Sequence, residues 1–282
     1  MSLFGARRVV MVAADLDPFN LFSNESTSNW LEDDVQDVLF LEKIGNSIHD
    51  SDCLNIKVPV MTSEVTELEH AFGHATISYS DGSLYRGPLC YGYPHGFGYY
   101  SNPNGSVYVG NFWYGKKDGS AEWKEPNGNI FEGVFQDDTR LDGKQKNKDG
   151  TVYVGKWKNN LPEDIKGQKW KRDEWYYVGE FKEGMPNGFG KICWKGGSCY
   201  QGKFKNGMMH GYGFYQSLRR YYKGHWLAGL RDGFGVEVTE TEKYEGYWMN
   251  NLREGSGTLS MPDGTSLSGV WDKGTRIGTI KH

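Results

Sequence analysis

The triplet aromatic-x-Gly begins at Tyr85, Tyr108, Phe131, Tyr153, Tyr177, Tyr200, Tyr222 and Tyr244, and Leu267 opens a shortened further copy. The intervals are 23, 23, 22, 24, 23, 22, 22 and 23 residues. A period held this closely marks an array of one supersecondary unit in which each copy rests mainly on its neighbours. Counting from the first aromatic, glycine recurs at +2, a large apolar residue at +4 and, often, glycine at +7. A Gly-x-Gly follows at +11 and +13, read as "GFG" from Gly96, Gly188 and Gly233, "GYG" from Gly211 and "GSG" from Gly255. "DGS", "NGS" or "GGS" commonly leads into the next aromatic.

Alternation at period two, broken by Asp-Gly, Asn-Gly or Gly-Gly, reads as strands joined by turns, because these residues tolerate positive φ. Each unit is therefore expected to be one β-hairpin. Glycine weakens a strand, so its recurrence inside every copy points to the close approach of a ring or a backbone. The expectation is that aromatics of one hairpin lie over the glycines of the next. Two strands per unit at ~4.8 Å give roughly 10 Å per repeat, or on the order of 80 Å for eight full units.

A two-residue loop at +19 and +20 would pair +16 with the next unit's first aromatic. The +15 and +17 side chains would then face away from the aromatic ladder. On this reading Tyr100, Trp123, Ile192, Trp194 and Tyr215 are candidate partner-binding residues on a second face. They either cover glycine gaps or form a groove for a partner helix. The same register sends the thiols of Cys193 and Cys199 to opposite faces, so no disulfide is expected between them.

Composition supports a geometric role for glycine. The chain pairs 39 Gly with 10 Trp, 18 Tyr and 14 Phe, whereas flexible and disordered segments are poor in aromatics. No apolar run approaches the ~20 residues of a membrane-spanning helix, and "VVMVAA" after Arg7 and Arg8 makes a poor signal peptide. None of the 4 cysteines forms a CxxC pair, and a reducing compartment is expected. The Gly-x-Gly copies run into strand-like sequence rather than opening a helix, so they lack the setting of a nucleotide loop. His70, His95 and His210 recur at one position before Gly-x-Gly or its equivalent, and neither HExxH nor a close His/Cys cluster exists. The Asp33-Asp34 and Asp137-Asp138 pairs fall in a helix start and a turn. No catalytic, cofactor-binding or metal-binding residue is expected, and hence no enzyme.

The unit YxGxW/F…GxxxGxG…DGxxY resembles the MORN (membrane occupation and recognition nexus) repeat. The resemblance covers residues 70–282 as a half repeat over 70–84, eight full repeats over 85–266 and a truncated repeat over 267–282. "HAFG" at 70–73 mirrors "HGFG" at 95–98. The resemblance implies an all-β repeat protein, an elongated, twisted, single-layer antiparallel sheet of consecutive hairpins. It implies no activity, since the module occurs in ciliary spoke proteins, junctional membrane proteins and as an appendage of lipid kinases and a histone methyltransferase. Three functions stay open: a scaffold binding a protein partner such as an amphipathic helix at cytoskeletal or ciliary structures, a peripheral module for anionic phospholipid, and a regulatory subunit of a separate enzyme. A cytoplasmic location, no nucleic acid partner and a homodimer through the terminal repeats near Trp248 to Trp271 complete the expectation.

Two regions depart from the pattern. The third and fourth units carry Asp138, Asp142 and Lys144, then Asn160, Asp164 and Lys166, in place of glycine at +7, +11 and +13, and something other than the standard stacking is expected there. Residues 140–172 hold ten bases against four acids, which makes Lys144, Lys146, Lys148, Lys166, Lys169, Lys171 and Arg172 candidates for an anionic or phospholipid partner, unless they are simply solvated. Residues 1–69 form an acidic extension with 13 acids and 4 bases. There "SNWLEDDVQDVLFLEKIG" predicts an amphipathic helix near 30–44, with Asn29 and Glu32 as a capping box. That helix could cap the first sheet edge, or dock on this sheet or a partner's.

Overall fold

A computed structural model of the chain describes residues 61–62 and 73–279. Among these residues 22 strands join in one sheet, and no helix occurs. From Gly73–Ser78 to Thr275–Thr279 the sheet is an antiparallel meander, each hairpin paired with the one before and after it. The predicted helix near 30–44 lies outside the described residues. The edge beside Gly73–Ser78 is met by a two-residue strand, Met61–Thr62, paired in parallel with Ile77 and Ser78.

Two kinds of turn alternate along the meander. The tight one lies at +6 and +7, where both residues have positive φ, as in Asn206 (51°) and Gly207 (80°). Lys205 pairs with Met208 across it, which makes it a two-residue turn of the primed kind that suits strand twist. The turn before the next aromatic is longer: Ser101 pairs with Val107 and Cys193 with Cys199, leaving five residues between. A carboxylate often braces it, as Asp149 does by accepting from the Thr151 N–H. That bond holds the Asp149 carboxyl below its ordinary pKa.

The longer turn moves the register by one residue from the sequence expectation, and a one-residue slip exchanges the two faces of a strand. Tyr100 pairs with Tyr108, Trp123 with Phe131, Ile192 with Tyr200 and Tyr215 with Tyr222. The +15 residues therefore share the face of the ladder rather than the opposite one. Cys193 stands directly opposite Cys199 with Cα atoms 4.1 Å apart, and the two form the disulfide that the shorter loop had argued against. Cys90 is free and buried.

The core is one layer of rings on glycine. Tyr222 packs over Gly224 and Gly235 of its own unit, not the next one as expected; a Cβ on Gly235 would meet its hydroxyl at 2.2 Å. The hydroxyl reaches past the glycines and donates to the His225 carbonyl at 3.1 Å. The same +3 bond recurs from Tyr85, Tyr108, Tyr153, Tyr177, Tyr200 and Tyr244. The +4 ring stands edge-on to its own unit's first ring and to that of the previous unit. Tyr222 to Trp226 is 5.2 Å and Tyr222 to Trp248 is 5.4 Å, the T-shaped arrangement that ring quadrupoles favour.

The irregular third and fourth units keep this stacking, contrary to expectation. Phe131 meets Trp157 at 5.4 Å and Tyr153 meets Phe181 at 5.0 Å. The displaced glycines still join the column, Gly133 beside Gly143 beside Gly155, and Gly167 beside Gly179. At +7, Asp138 and Asn160 adopt the positive φ that glycine has elsewhere (65° and 60°). Each adds a bond that glycine cannot make, accepting from the Lys117 and Arg140 N–H groups of the preceding unit.

Two tests follow from this layer. Gly235→Ala should cost about 1–3 kcal/mol by overpacking and lower the urea midpoint, whereas Gly278→Ala, with open space at its Cβ, should not. Burial pushes the phenols of Tyr85, Tyr108, Tyr153, Tyr177, Tyr200 and Tyr222 well above their ordinary range. The folded state therefore holds these protons more tightly than the unfolded chain. Their stabilising contribution is complete below about pH 10 and falls above it, so phenolate absorbance should rise together with loss of the circular dichroism signal.

Candidate functional site: the ladder face

Strand alternation gives the sheet a ladder face and an outer face with different surfaces. On the ladder face the first aromatic and the +4 ring are buried. Over them lie side chains from +9 and +15. Trp175, Ile192, Trp194, Met209 and Tyr215 are half-buried and packed against the ladder, in adjacent strands from Trp175–Lys182 to Met208–Gln216. Trp175 pairs with Trp194, and Ile192 and Tyr215 both flank Tyr200. Met209 and Tyr215 then border a hollow of about 310 Å³, closed by Arg220, Tyr222, Trp226, Arg231, Glu237 and Asn251.

The +9 position supplies cations that lie on the rings. Arg140 sits 4.7 Å from Trp123, 5.0 Å from Phe131 and 4.8 Å from Trp157, bonded to Gln145 at 2.5 Å and ion-paired with Glu125. Arg231 lies 4.1 Å from Trp248 and pairs with Glu237 at 2.5 Å. Arg253 lies 4.7 Å from Tyr244 and pairs with Glu242. Burial lowers the pKa of Arg140 and Arg231, and the carboxylate partners oppose that shift. Lys117 lies 4.4 Å from Trp123 and 5.1 Å from Tyr108.

The five residues predicted to face a partner thus lie on the ladder face. The structure brings Ile192, Trp194 and Tyr215 into one patch, while Tyr100 and Trp123 cover the first two repeats. The predicted basic cluster divides. Lys144, Lys146 and Lys166 project from the outer face, opposite to their strand neighbours Gln145 and Gly167, which line the ladder. Lys169 and Lys171 lie on the ladder face, where Lys171 pairs with Glu174 at 2.7 Å, and Lys148 and Arg172 occupy turns. Neighbouring bases in a strand point to opposite sides, so a run of charge in sequence does not become one patch.

Sequence reasoning missed the outer-face aromatics. Phe97, Phe189, Tyr212 and Phe234 are the central residues of Gly-x-Gly and are 42%, 61%, 51% and 44% exposed. Their flanking glycines carried the signal, since a residue between two ring-covered or turn glycines points away from the ring. Among the described residues no group of His, Cys, Asp and Glu could hold a metal ion, and no helix is long and apolar enough to cross a membrane.

The sequence profile of the MORN repeat matches residues 91–107, 108–130, 153–163, 177–199, 200–217, 222–240 and 244–266. Residues 91–266 thus carry seven MORN repeats. The profile passes over residues 131–152, yet the hairpin there keeps the same ladder and glycine column. No curated protein sequence matches the chain at a significant level. Among solved structures, a point mutant of the TCP10 domain of Danio rerio CPAP is similar at 11% identity and a TM-score of 0.38, covering 70% of this chain and 99% of that one. The SAS-4 (dCPAP) TCP domain of Drosophila melanogaster, in complex with a proline-rich motif of Ana2 (dSTIL), is similar at 11% identity and a TM-score of 0.27, covering 78% and 100%.

The buried Arg140–Glu125 pair gives this MORN sheet a specific weakness. Glu125→Ala leaves a guanidinium uncompensated among rings and should destabilise by about 3 kcal/mol. Arg140→Met/Glu125→Ala should recover most of that loss, read as the midpoint of urea unfolding.

Proposed function

We propose that this protein is a non-enzymatic scaffold whose ladder face docks a protein partner. The observation that carries the reading is the patch of Trp175, Ile192, Trp194, Met209 and Tyr215 ending in the hollow beside Trp226. Large apolar and aromatic side chains clustered beside a pocket are the usual anchors of protein interfaces. The ladder beneath them is fixed by ring contacts on both sides, so the patch is preorganised and little ordering cost opposes docking. Action at cytoskeletal or ciliary structures rests on the family resemblance alone.

Proximity labelling in cells, comparing wild type with Ile192→Asp and with an outer-face variant Phe234→Ser, tests this surface. Ile192→Asp should lose the specific neighbours while the protein stays folded at the assay temperature, checked by circular dichroism, and Phe234→Ser should keep them. Loss with Phe234→Ser alone would move the interface to the outer face.

A further inference from the structure

The ladder face also indicates the charge of its occupant. Its arginines at 140, 231 and 253 are each paired with a carboxylate supplied by the sheet. Lys117 and Lys169 break that rule. Both are half-buried on the same face, Lys169 between Tyr153 and Tyr177, and among the described residues neither makes an ion pair. Desolvation lowers the pKa of each, and Asp138 and Asp149 oppose this from a distance without bonding to either ammonium. The rings of Trp123 and Tyr108 face the Lys117 ammonium but supply no counter-charge; a cation partly withdrawn from water without one is costly, and a carboxylate brought by another molecule offsets that cost.

The two lysines lie on the same face as the apolar patch, further along the sheet. From the strand Met208–Gln216, through those of Ile192 and Trp175, the sheet continues to the strand of Lys169 and then to that of Lys117. Lys169 and Lys117 are four strand steps apart across the sheet, roughly 20 Å at ~4.8 Å per step, with Lys169 level with the first aromatics and Lys117 level with the +4 ring Phe112. Resting on the scaffold reading above, we propose that the occupant of the ladder face is an amphipathic protein segment. It is apolar over the patch from Trp175 to Tyr215 and acidic where it continues over Lys169 and Lys117. The acidic end seats its carboxylates on the two lysine ammonium groups, and the apolar end fills the hollow.

The test uses the full chain and two fluorescein-labelled helical peptides of about 26 residues, the length that spans these strands at 1.5 Å per residue. Both carry the same Leu-rich half, and the other half carries either Glu or Lys. The Glu peptide should bind about tenfold more tightly. Lys117→Glu/Lys169→Glu should reverse the preference, Lys117→Gln/Lys169→Gln should abolish it, and the outer-face control Lys203→Glu should leave it intact. Equal affinity for the two peptides, or a preference unchanged by reversal, overturns the charge assignment. If Ile192→Asp still weakens both peptides in that case, the scaffold reading stands alone. A Glu preference that needs the lysines but ignores Ile192→Asp sinks the patch and keeps the charge assignment. Failure of both peptides at about 1 mM overturns both readings, and phosphatidylserine vesicles bound through these lysines with no peptide bound would make the occupant a lipid.

Discussion

Everything in this sheet depends on one packing event, a tyrosine or phenylalanine ring lying flat over a pair of cross-strand glycines. A single-layer sheet has no second layer to bury its apolar face, so it must make a core from its own side chains. Removing Cβ at +2 and +13 opens a trough as deep as a ring, and the ring fills it. The hydroxyl then satisfies a carbonyl that would otherwise lie beneath an apolar layer, which explains why tyrosine predominates at this position. Phe131 is the exception, and it lacks that bond.

The second consequence is directional. From Tyr108 onward each ladder ring contacts the +4 ring of its own unit and that of the next, and the tight turn adds backbone bonds between units, such as Gly207 N–H to the Pro186 carbonyl at 2.9 Å. Stability is thus a chain of nearest-neighbour terms. Such a chain tolerates local substitution if each link is kept, and units three and four do this. There Asp138 and Asn160 replace turn glycines by residues that accept positive φ, and in the second unit Ala121 takes the place of a column glycine while remaining fully buried.

Much of this was legible in the sequence. The period, the hairpin unit, the buried +4 ring and the structural use of glycine follow from spacing and residue type. The faces of the sheet did not follow, because they depend on whether the DGS-type turn holds two residues or five. "NPNGS" at 102–106 and "KGGS" at 195–198 contain the dipeptide of a two-residue turn inside a longer loop. Choosing the short one moved Tyr100, Trp123, Ile192, Trp194 and Tyr215 to the wrong side and separated Cys193 from Cys199. The division of the basic cluster was hidden for a related reason, as strand alternation splits a linear run between two faces. That Lys117 and Lys169 make no ion pair among the described residues was beyond reach, since it depends on where carboxylates distant in sequence are placed.

The claim on which the functional reading stands is the assignment of these side chains to faces. Hydroxyl-radical footprinting of the free protein, read residue by residue, measures it directly. The account predicts rapid oxidation of Phe189, Tyr212, Phe234 and Tyr247, slower oxidation of Ile192 and Tyr215, and protection of Tyr200 and Tyr222. Faster oxidation of Ile192 and Tyr215 than of Phe189, Tyr212 and Phe234 would contradict it.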